Sequence, residues 1–266
     1  MSEERVNGEN QSVARAIAIL DLLADCGQPL GVREIARRLA LPPSNVQRLI
    51  KSLTRPGYLE QADATQRYAI GYRAFQMGNA FVGQSTLSSA VMPELYRLAD
   101  EHITGFLGVL RDRSVVYLAT VQSEGPVAIN HRPGHQTHLH STAMGKALLA
   151  ELGDDEVSAL LGSAPLPRIT ETTKVELPQL LEELREIRRV GYSMSNEENR
   201  QGFFSAGAVV RDATDRSIAV ISGSAPTLDL KPEDRTAIGA RVLEAAQRAS
   251  RKLGAPQDSA VGRSLG

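Results

Sequence analysis

Four of the chain's five histidines fall within one short stretch, HRPGHQTHLHS, at positions 131–141. They are His131, His135, His138 and His140. Imidazole nitrogens serve as zinc ligands and as general bases, so the stretch raises two hypotheses, a metal site and a hydrolytic site. His138 and His140 would share one face of a regular strand and supply half of a zinc site. Because no cysteine lies nearby and the other ligands would be distant, we predict no metal, with zinc as the alternative.

The motifs of common hydrolases and nucleotide-binding enzymes are absent from the sequence. Neither GxSxG nor HExxH occurs, and AMGKALL lacks the upstream glycine and the Ser/Thr of a P-loop. Ser141 would need a histidine other than the adjacent His140, and nothing identifies the acid of a triad. Glu197 and Glu198 are neighbours in sequence, a poor arrangement for paired acid and base. We therefore predict no enzymatic activity, no catalytic residue and no cofactor.

The composition is that of a soluble protein large enough for two domains. Of the 266 residues, 42% are hydrophobic and 23% are charged. The polar start MSEERVNGENQ is unlike a secretory signal, and no apolar run approaches the roughly 20 residues of a membrane span. The single cysteine, Cys26, fits a reducing compartment. These features predict a cytoplasmic protein that does not associate with membranes.

Positive charge is concentrated near the N-terminus. Between Val32 and Arg73 there are eight basic and three acidic residues, a net charge of +5, whereas the whole chain carries −1. A basic segment on a nearly neutral chain indicates a nucleic-acid-binding module attached to another domain. Charge alone leaves a solvated basic face as the alternative.

Two short helices joined by a tight turn are predicted in this basic segment, after a first helix over residues 12–26. VREIARRLA ends at LPP, because proline cannot continue a helix. SNVQRLIKSL then places Val46, Leu49, Ile50 and Leu53 on one face and polar, basic residues on the other. This pattern predicts a helix-turn-helix with its recognition helix. YLEQADATQRYAIG alternates around a polar tip, which predicts a β-hairpin wing.

The side chains expected to contact DNA share a basic or hydrogen-bonding character. Arginine binds guanine, Asn and Gln read adenine, and Lys and hydroxyl groups suit phosphates. The predicted contacts are Arg33, Ser44, Asn45, Gln47, Arg48, Lys51 and Arg67. Ser44 and Gln47 also have the spacing of a capping box, so their alternative role is to begin the helix. For Arg48 and Lys51 the alternative is a solvated face.

The pattern changes after the wing. Residues 72–87 predict a linker helix that pairs with a partner chain, with a plain spacer as the alternative. Helices then alternate with strands, the strands at 106–112, 114–123, 126–132, 191–195, 203–212 and 217–224. The intervening helices are predicted at 88–102, 141–152, 154–161, 175–191 and 231–252. This order predicts an α+β domain with a mainly antiparallel sheet.

Four separated motifs occur in a characteristic order: ALPPSNVQRLIKSLTRPGYLE, LHSTAMGKALLA, GYSMSNEENRQGFFSAGAVVRD and AVISGSAP. From about Gln11 to Lys252 the chain resembles the IclR family of bacterial transcriptional regulators. The resemblance implies a winged helix-turn-helix joined by a linker helix to a GAF-like effector-binding domain. It also implies homodimers or dimers of dimers on palindromic double-stranded operator DNA. The implied function is a ligand-responsive regulator, expected to be a repressor of a catabolic operon controlled by a small organic acid, aromatic acids included.

The resemblance also assigns an effector pocket. Ser195 stands where many members carry aspartate, and Ser205 where cysteine is frequent; the missing charge suits an anionic ligand. Ser222 and Ser224 lie two apart in a strand, so both hydroxyls can face a carboxylate near the start of the Ser141 helix. Small core residues bonded to backbone are the alternative. The predicted pocket residues are His140, Ala143, Met144, Ser195, Ser205, Ser222 and Ser224.

The predicted organisation has five parts. A disordered tail (1–10) precedes the winged helix-turn-helix domain (11–71), the linker helix (72–87), the effector-binding domain (88–253) and a flexible tail (254–266). The four histidines then lie at the rim of the effector pocket. The competing hypothesis is a ligand- or metal-sensing module that acts through a partner other than DNA.

Overall fold

The computed structural model describes residues 10–83, 86–125, 129, 131–162, 165–228 and 230–256. The chain divides into two compact units, Met1–Ser85 and Thr86–Gly266. Its α+β architecture, an N-terminal helix-turn-helix unit and a C-terminal unit with an antiparallel sheet, is confirmed. The tails predicted at 1–10 and 254–266 lie largely outside the described residues.

The described part of the N-terminal unit contains four helices and a two-stranded wing. Its elements are α1 (Gln11–Cys26), α2 (Val32–Arg38), α3 (Pro43–Thr54), β1 (Leu59–Ala62), β2 (Arg67–Ile70) and α4 (Tyr72–Gly83). The buried face of α3 carries Val46, Leu49 and Ile50, as its periodicity predicts. These side chains pack with Ile19 of α1 and Ile35 of α2 into one hydrophobic cluster. The α3 helix is therefore held by its apolar stripe, which leaves its polar face outward.

The capping box, which was the alternative role of Ser44 and Gln47, is not formed among the described residues. The α3 helix begins at Pro43, because proline is well suited to the first helical position, where no N–H bond is needed. Ser44 consequently lies inside the first turn, and no described side chain caps the N-terminus of α3. The hydroxyl of Ser44 is thus left exposed rather than used by the helix.

The C-terminal unit is a six-stranded antiparallel sheet between two helical layers. Its elements are α5 (Thr86–Asp100), β3 (Thr104–Arg111), β4 (Ser114–Val121), β5 (Gln136–Thr137), α6 (Ala143–Leu149), α7 (Asp154–Leu161), α8 (Leu177–Val190), β6 (Ser193–Asn196), β7 (Phe203–Arg211), β8 (Ser217–Pro226) and α9 (Pro232–Lys252). The strand order is β5-β4-β3-β8-β7-β6, and every neighbouring pair is antiparallel.

The two faces of the sheet bury different layers. On β8, Ala219 and Ile221 join the cluster formed with α5 and α9, whereas Val220 joins the cluster formed with α6 and α8. Because strand side chains alternate, Ser222 and Ser224 share the face of Val220. The α6 side of the sheet is therefore where the predicted pocket residues can meet.

Two glycines allow α6 to approach the sheet closely. A Cβ on Gly207 of β7 would lie 2.8 Å from the Ala143 carbonyl. A Cβ on Gly145 of α6 would overlap the backbone of Leu139. Ordinary side chains at either position would push α6 away from β7 and from the segment that leads into it.

A buried carboxylate joins α5 to α9. The fully buried Glu94 side chain pairs with Arg97, Arg248 and Lys252 at 2.7–3.0 Å. Burial opposes ionisation, but hydrogen bonds from these three cations hold the pKa of Glu94 below its ordinary value.

The structure tests the strand predicted at 126–132 only in part. Residues 126–128 and 130 lie outside the described residues, and His131 and Arg132 have no regular structure. The strand that pairs with β4 is β5, at Gln136–Thr137. His138 and His140 therefore lie after β5 rather than on it, which removes the geometric basis of the zinc half-site that was the alternative to no metal.

Candidate functional site

A small cavity of about 40 Å³ lies between the sheet and the N-terminus of α6. We call it the serine-lined cavity. It is bounded by β3, β4, β6, β7 and β8, the start of α6 and the loop that follows β6. Its described lining residues are Phe106, Tyr117, Ile129, His131, Thr142, Ala143, Met144, Ser195, Asn199, Arg200, Phe203, Ser205, Ser222 and Ser224.

Six of the seven residues predicted for the pocket line this cavity. They are Ala143, Met144, Ser195, Ser205, Ser222 and Ser224. His140 does not line it, because the chain turns between β5 and α6 and directs His140 toward Pro167. The prediction placed His140 at the pocket wall from its position in sequence alone.

The four serines differ in how their hydroxyls are used. Ser195 donates to the Ser141 carbonyl at 2.8 Å, so it fixes the backbone at the start of α6. Ser205 donates to Ser224 at 2.8 Å, and Ser224 donates to the Phe204 carbonyl at 2.9 Å. Ser222 makes no side-chain hydrogen bond to the described residues, so its hydroxyl is available to a ligand. The alternative interpretation, in which the serines are small core residues bonded to the backbone, therefore applies to Ser195 and Ser224.

An aromatic wall lies beside the serines, since Phe106 of β3 is the cross-strand partner of Ser222 of β8. The His131 ring stacks on Tyr117 with ring centroids 4.6 Å apart, and Tyr117 meets Phe106 edge to face at 5.5 Å. Burial, with smaller contributions from His135 and Arg200, lowers the pKa of His131 to about 4. His131 is therefore a neutral aromatic member of the wall at physiological pH. The sequence marked His131 only as part of the histidine cluster, and Phe106 and Tyr117 only as strand residues.

The loop after β6 brings an arginine to the cavity. The Arg200 guanidinium lies 5.4 Å from the centroid of Phe203. It makes no ion pair or hydrogen bond with the described residues. Asn199 accepts a hydrogen bond from Ser141 at 3.1 Å, which ties the loop to the start of α6. Neither Asn199 nor Arg200 was predicted from the sequence, because nothing in the local sequence indicates that a loop some 55 residues beyond Met144 returns to it.

A buried ion cluster anchors the same loop. The Lys146 ammonium is fully buried and contacts Glu198 at 2.7 Å and Glu183 of α8 at 2.8 Å. Burial raises the pKa of Glu198 despite the lowering effect of Lys146. Glu197 accepts a hydrogen bond from the Gly202 amide at 2.9 Å, so it bonds the loop that leads to Phe203. Lys146 thus links α6, α8 and the loop that carries Arg200.

A second cavity, of about 280 Å³, lies beside the end of α7. We call it the lateral cavity. His138 and His140 belong to it, with ring centroids 5.7 Å apart, and His140 Nε2 donates to the Pro167 carbonyl at 2.8 Å. No three His, Cys, Asp or Glu side chains converge as a metal site in the part of the chain that the structure describes. The four histidines are instead divided between the surroundings of two cavities.

The polar face of α3 is exposed in the N-terminal unit. Ser44, Gln47, Arg48 and Lys51 are exposed and Asn45 is half-buried. They recur at three- and four-residue spacing along one face of the helix. The cationic groups of Arg48 and Lys51 form no ion pair with described residues. The helix therefore presents donors and positive charge that the fold itself does not use.

The other two predicted DNA contacts differ from each other. Arg33 on α2 is exposed and forms no ion pair within the described residues. Arg67 on the wing donates to the Pro29 carbonyl at 3.3 Å and lies 3.9 Å from Glu34. Arg67 would have to exchange these contacts to reach a phosphate.

No helix among the described residues is long and apolar enough to span a bilayer.

Known proteins match both units of this chain. The IclR helix-turn-helix domain matches residues 12–63, and the C-terminal domain of the bacterial transcriptional regulator IclR matches residues 84–251. The regulator BhcR of Paracoccus denitrificans is 34% identical over 92% of this chain and 88% of its own length. The transcriptional repressor IclR of Escherichia coli is 29% identical over 93% of this chain and 91% of its own length.

Solved structures share the fold. An IclR homologue from Microbacterium hydrocarbonoxydans, complexed with 4-hydroxybenzoate, superposes with a TM-score of 0.80 at 21% identity, covering 91% of this chain and 98% of the homologue. The regulator from Alicyclobacillus acidocaldarius gives a TM-score of 0.83 at 24% identity, covering 93% and 100% of the two chains. Taken together with the domain matches, these likenesses show that the chain belongs to the IclR family of bacterial transcriptional regulators.

Proposed function

We propose that this regulator binds palindromic operator DNA through α3 and the wing, and that a small organic acid in the serine-lined cavity alters that binding. The observation that carries the ligand assignment is Arg200. Its guanidinium has no described counter-ion, and no Asp or Glu is among the described residues that line the cavity. A cation without a partner at a cavity without opposing carboxylates favours an anionic ligand.

The other lining residues indicate what the part of the ligand beyond its carboxylate should be. Phe106, Tyr117, neutral His131 and Met144 supply an apolar, largely aromatic part of the lining beside the serines. Ser222 offers a polar substituent a hydroxyl that makes no hydrogen bond to the described residues. A small monocarboxylate with a flat apolar body matches this distribution, and aromatic acids are within the class.

Replacing Arg200 by glutamine is expected to weaken binding of benzoate about 10- to 100-fold, because charge-assisted hydrogen bonds contribute about 1.5–3 kcal/mol. Benzoate is chosen as a probe for its charge and flat ring, and the measurement is the ligand-induced rise in Tm. A ligand at 100 times its Kd should stabilise the domain by about 2.7 kcal/mol.

Two controls accompany this experiment. Benzamide, the neutral analogue, should stabilise the wild type far less than benzoate. Arg132→Gln, an exposed arginine that does not line the cavity, should bind benzoate as the wild type does. Equal binding by Arg200→Gln, across a panel that includes benzoate and pyruvate, would contradict the carboxylate assignment.

We also propose that the regulator is a homodimer or a dimer of dimers in the cytoplasm. In the N-terminal unit, exposed apolar side chains lie on α1 (Val13, Ile17) and on α4 (Tyr72, Phe75, Met77), each at least half exposed. Apolar clusters of this kind mark association surfaces. A two-fold partner would also place two α3 helices on a palindromic site.

The regulatory function is tested by a mobility-shift assay on DNA that flanks the gene. The wild-type protein should retard at least one such fragment, and a stabilising acid should weaken the complex if the protein is a repressor, as the named relative is. Retardation of no fragment, with or without acids, would contradict operator binding. That result would favour a sensor acting through a partner other than DNA.

A further inference from the structure

The lateral cavity has the composition of a ligand site in its own right. It lies between the β4–β5 edge of the sheet, the C-terminal end of α7 and the segment around Pro167. Its volume of about 280 Å³ exceeds that of the serine-lined cavity. We propose that it binds a second ligand, a small amphipathic monoanion whose apolar chain packs on leucines and whose acid group faces Arg113 and His138.

The apolar part of the lining comes from three elements. Leu139 is buried in the segment between β5 and α6, Leu160 and Leu161 lie at the end of α7, and Leu166 follows α7. Leu139 and Leu166 also belong to the buried hydrophobic cluster of this face of the sheet, whereas Leu160 and Leu161 are only half-buried. An aliphatic chain in the cavity could therefore bury further apolar surface of Leu160 and Leu161. Each buried methylene contributes about 0.8 kcal/mol.

The polar part of the lining is basic. Arg113 lies in the turn between β3 and β4, and its Nη2 reaches within 3.5 Å of the position that a Cβ on Gly162 would occupy. Arg113 makes no ion pair or hydrogen bond with the described residues, and none of the described lining residues is Asp or Glu. A cation that pairs with no described residue, together with a leucine surface, favours an amphipathic anion over a neutral lipid or a sugar.

The two histidines have different parts in this site. Burial holds the pKa of His140 below its ordinary value, and its Nε2–H is already donated to the Pro167 carbonyl. His140 therefore supports the wall of the cavity. His138 is exposed and makes no side-chain hydrogen bond to the described residues, so its ring is free to contact an acid group beside Arg113.

The lateral cavity is separate from the serine-lined cavity. The two have no described lining residue in common, although they lie along one continuous segment. His138, Leu139 and His140 face the lateral cavity, and Thr142 and Ala143 face the other. Thr142 donates to the His138 carbonyl at 2.6 Å, which holds the segment together. The proposal therefore stands apart from the effector assignment made above.

The test uses octanoate as the probe and the full-length protein with labelled leucine methyl groups. On titration, the methyl resonances of Leu160, Leu161 and Leu166 should shift and saturate. Arg113→Gln should raise the octanoate Kd about tenfold, because it removes the charge and leaves the apolar lining. The matched control is Arg111→Gln, an exposed arginine of the same hairpin that does not line the cavity, and it should leave the Kd unchanged.

A second variant separates the two cavities. In Arg200→Gln the same leucine shifts should persist with the wild-type Kd, because Arg200 belongs to the serine-lined cavity. Loss of the shifts in Arg200→Gln, their absence in the wild type, or an unchanged Kd in Arg113→Gln would overturn the proposal. Equal binding of octanol would also overturn it, since anion recognition would then be absent. None of these readouts uses DNA or benzoate, so failure of the proposed function leaves them interpretable.

Discussion

Replacing Lys146 by methionine is expected to destabilise the C-terminal unit by about 3–5 kcal/mol, because removal of one partner leaves buried charges without compensation. The Lys146 side chain is fully buried, and those of Glu198 and Glu183 are 7% and 19% exposed. Methionine has a similar length and keeps the packing, so the decrease in the free energy of unfolding measures the effect of removing the positive charge. Chemical denaturation followed by a probe in the C-terminal unit measures it.

The ion cluster provides its own controls. Lys174 contacts Glu183 at 2.8 Å from a position that is 39% exposed, so Lys174→Met should cost less than about 1 kcal/mol. Adding Glu198→Gln to Lys146→Met should recover part of the loss, since the unpaired carboxylate is then neutral. A Lys146→Met variant as stable as the wild type would contradict the proposed anchoring of the loop.

The destabilisation caused by Lys146→Met should also increase as the pH rises. Burial raises the pKa of Glu198 already in the wild type, and removal of Lys146 removes the largest effect that lowers it. The folded variant then binds more protons than the unfolded chain, so its stability falls as pH rises through the folded-state pKa of Glu198. The difference from the wild type should therefore be smaller at mildly acidic than at neutral pH.

Replacing Arg48 by alanine is expected to abolish specific operator binding. A base-reading arginine contributes about 1–3 kcal/mol per contact, and a two-fold dimer loses the contact twice, roughly a 100-fold or greater loss of affinity. Arg48 is exposed on α3 and unpaired within the described residues, so its removal should leave the fold intact. Mobility shifts on the specific fragment and on an unrelated sequence measure the loss.

Lys51→Ala is the informative comparison for Arg48→Ala. A phosphate contact should weaken binding to all sequences about equally and reduce the dependence of affinity on salt. Both variants should keep the stabilisation by acids, because the cavity lies in the other unit. Wild-type operator binding by Arg48→Ala would show that the recognition-helix assignment is wrong.

Local periodicity accounts for most of what could be predicted of the fold. Val46, Leu49 and Ile50 recur at helical spacing, and the structure buries all three. Ser222 and Ser224 recur at strand spacing, and both reach the same cavity. Such patterns can be recognised in the sequence because the side chains on one face of a helix or strand recur at the period of its backbone. Such patterns do not decide where a helix begins: α3 begins at Pro43 rather than after Ser44, so the capping box that was the alternative role of Ser44 and Gln47 does not form.

The sequence by itself therefore determined the two-part architecture, the outward face of α3 and six of the residues around one cavity. Only the tertiary structure decided the rest. Arg200 reaches that cavity through a loop held by Lys146, whose partners Glu183 and Glu198 lie 37 and 52 residues away. The four histidines looked like one site, but the turn at 138–142 directs His140 away from His131 and toward another cavity. Contacts of this kind depend on how closely packed layers approach one another, as at Gly145 and Gly207, and no spacing of residues along the chain encodes that distance.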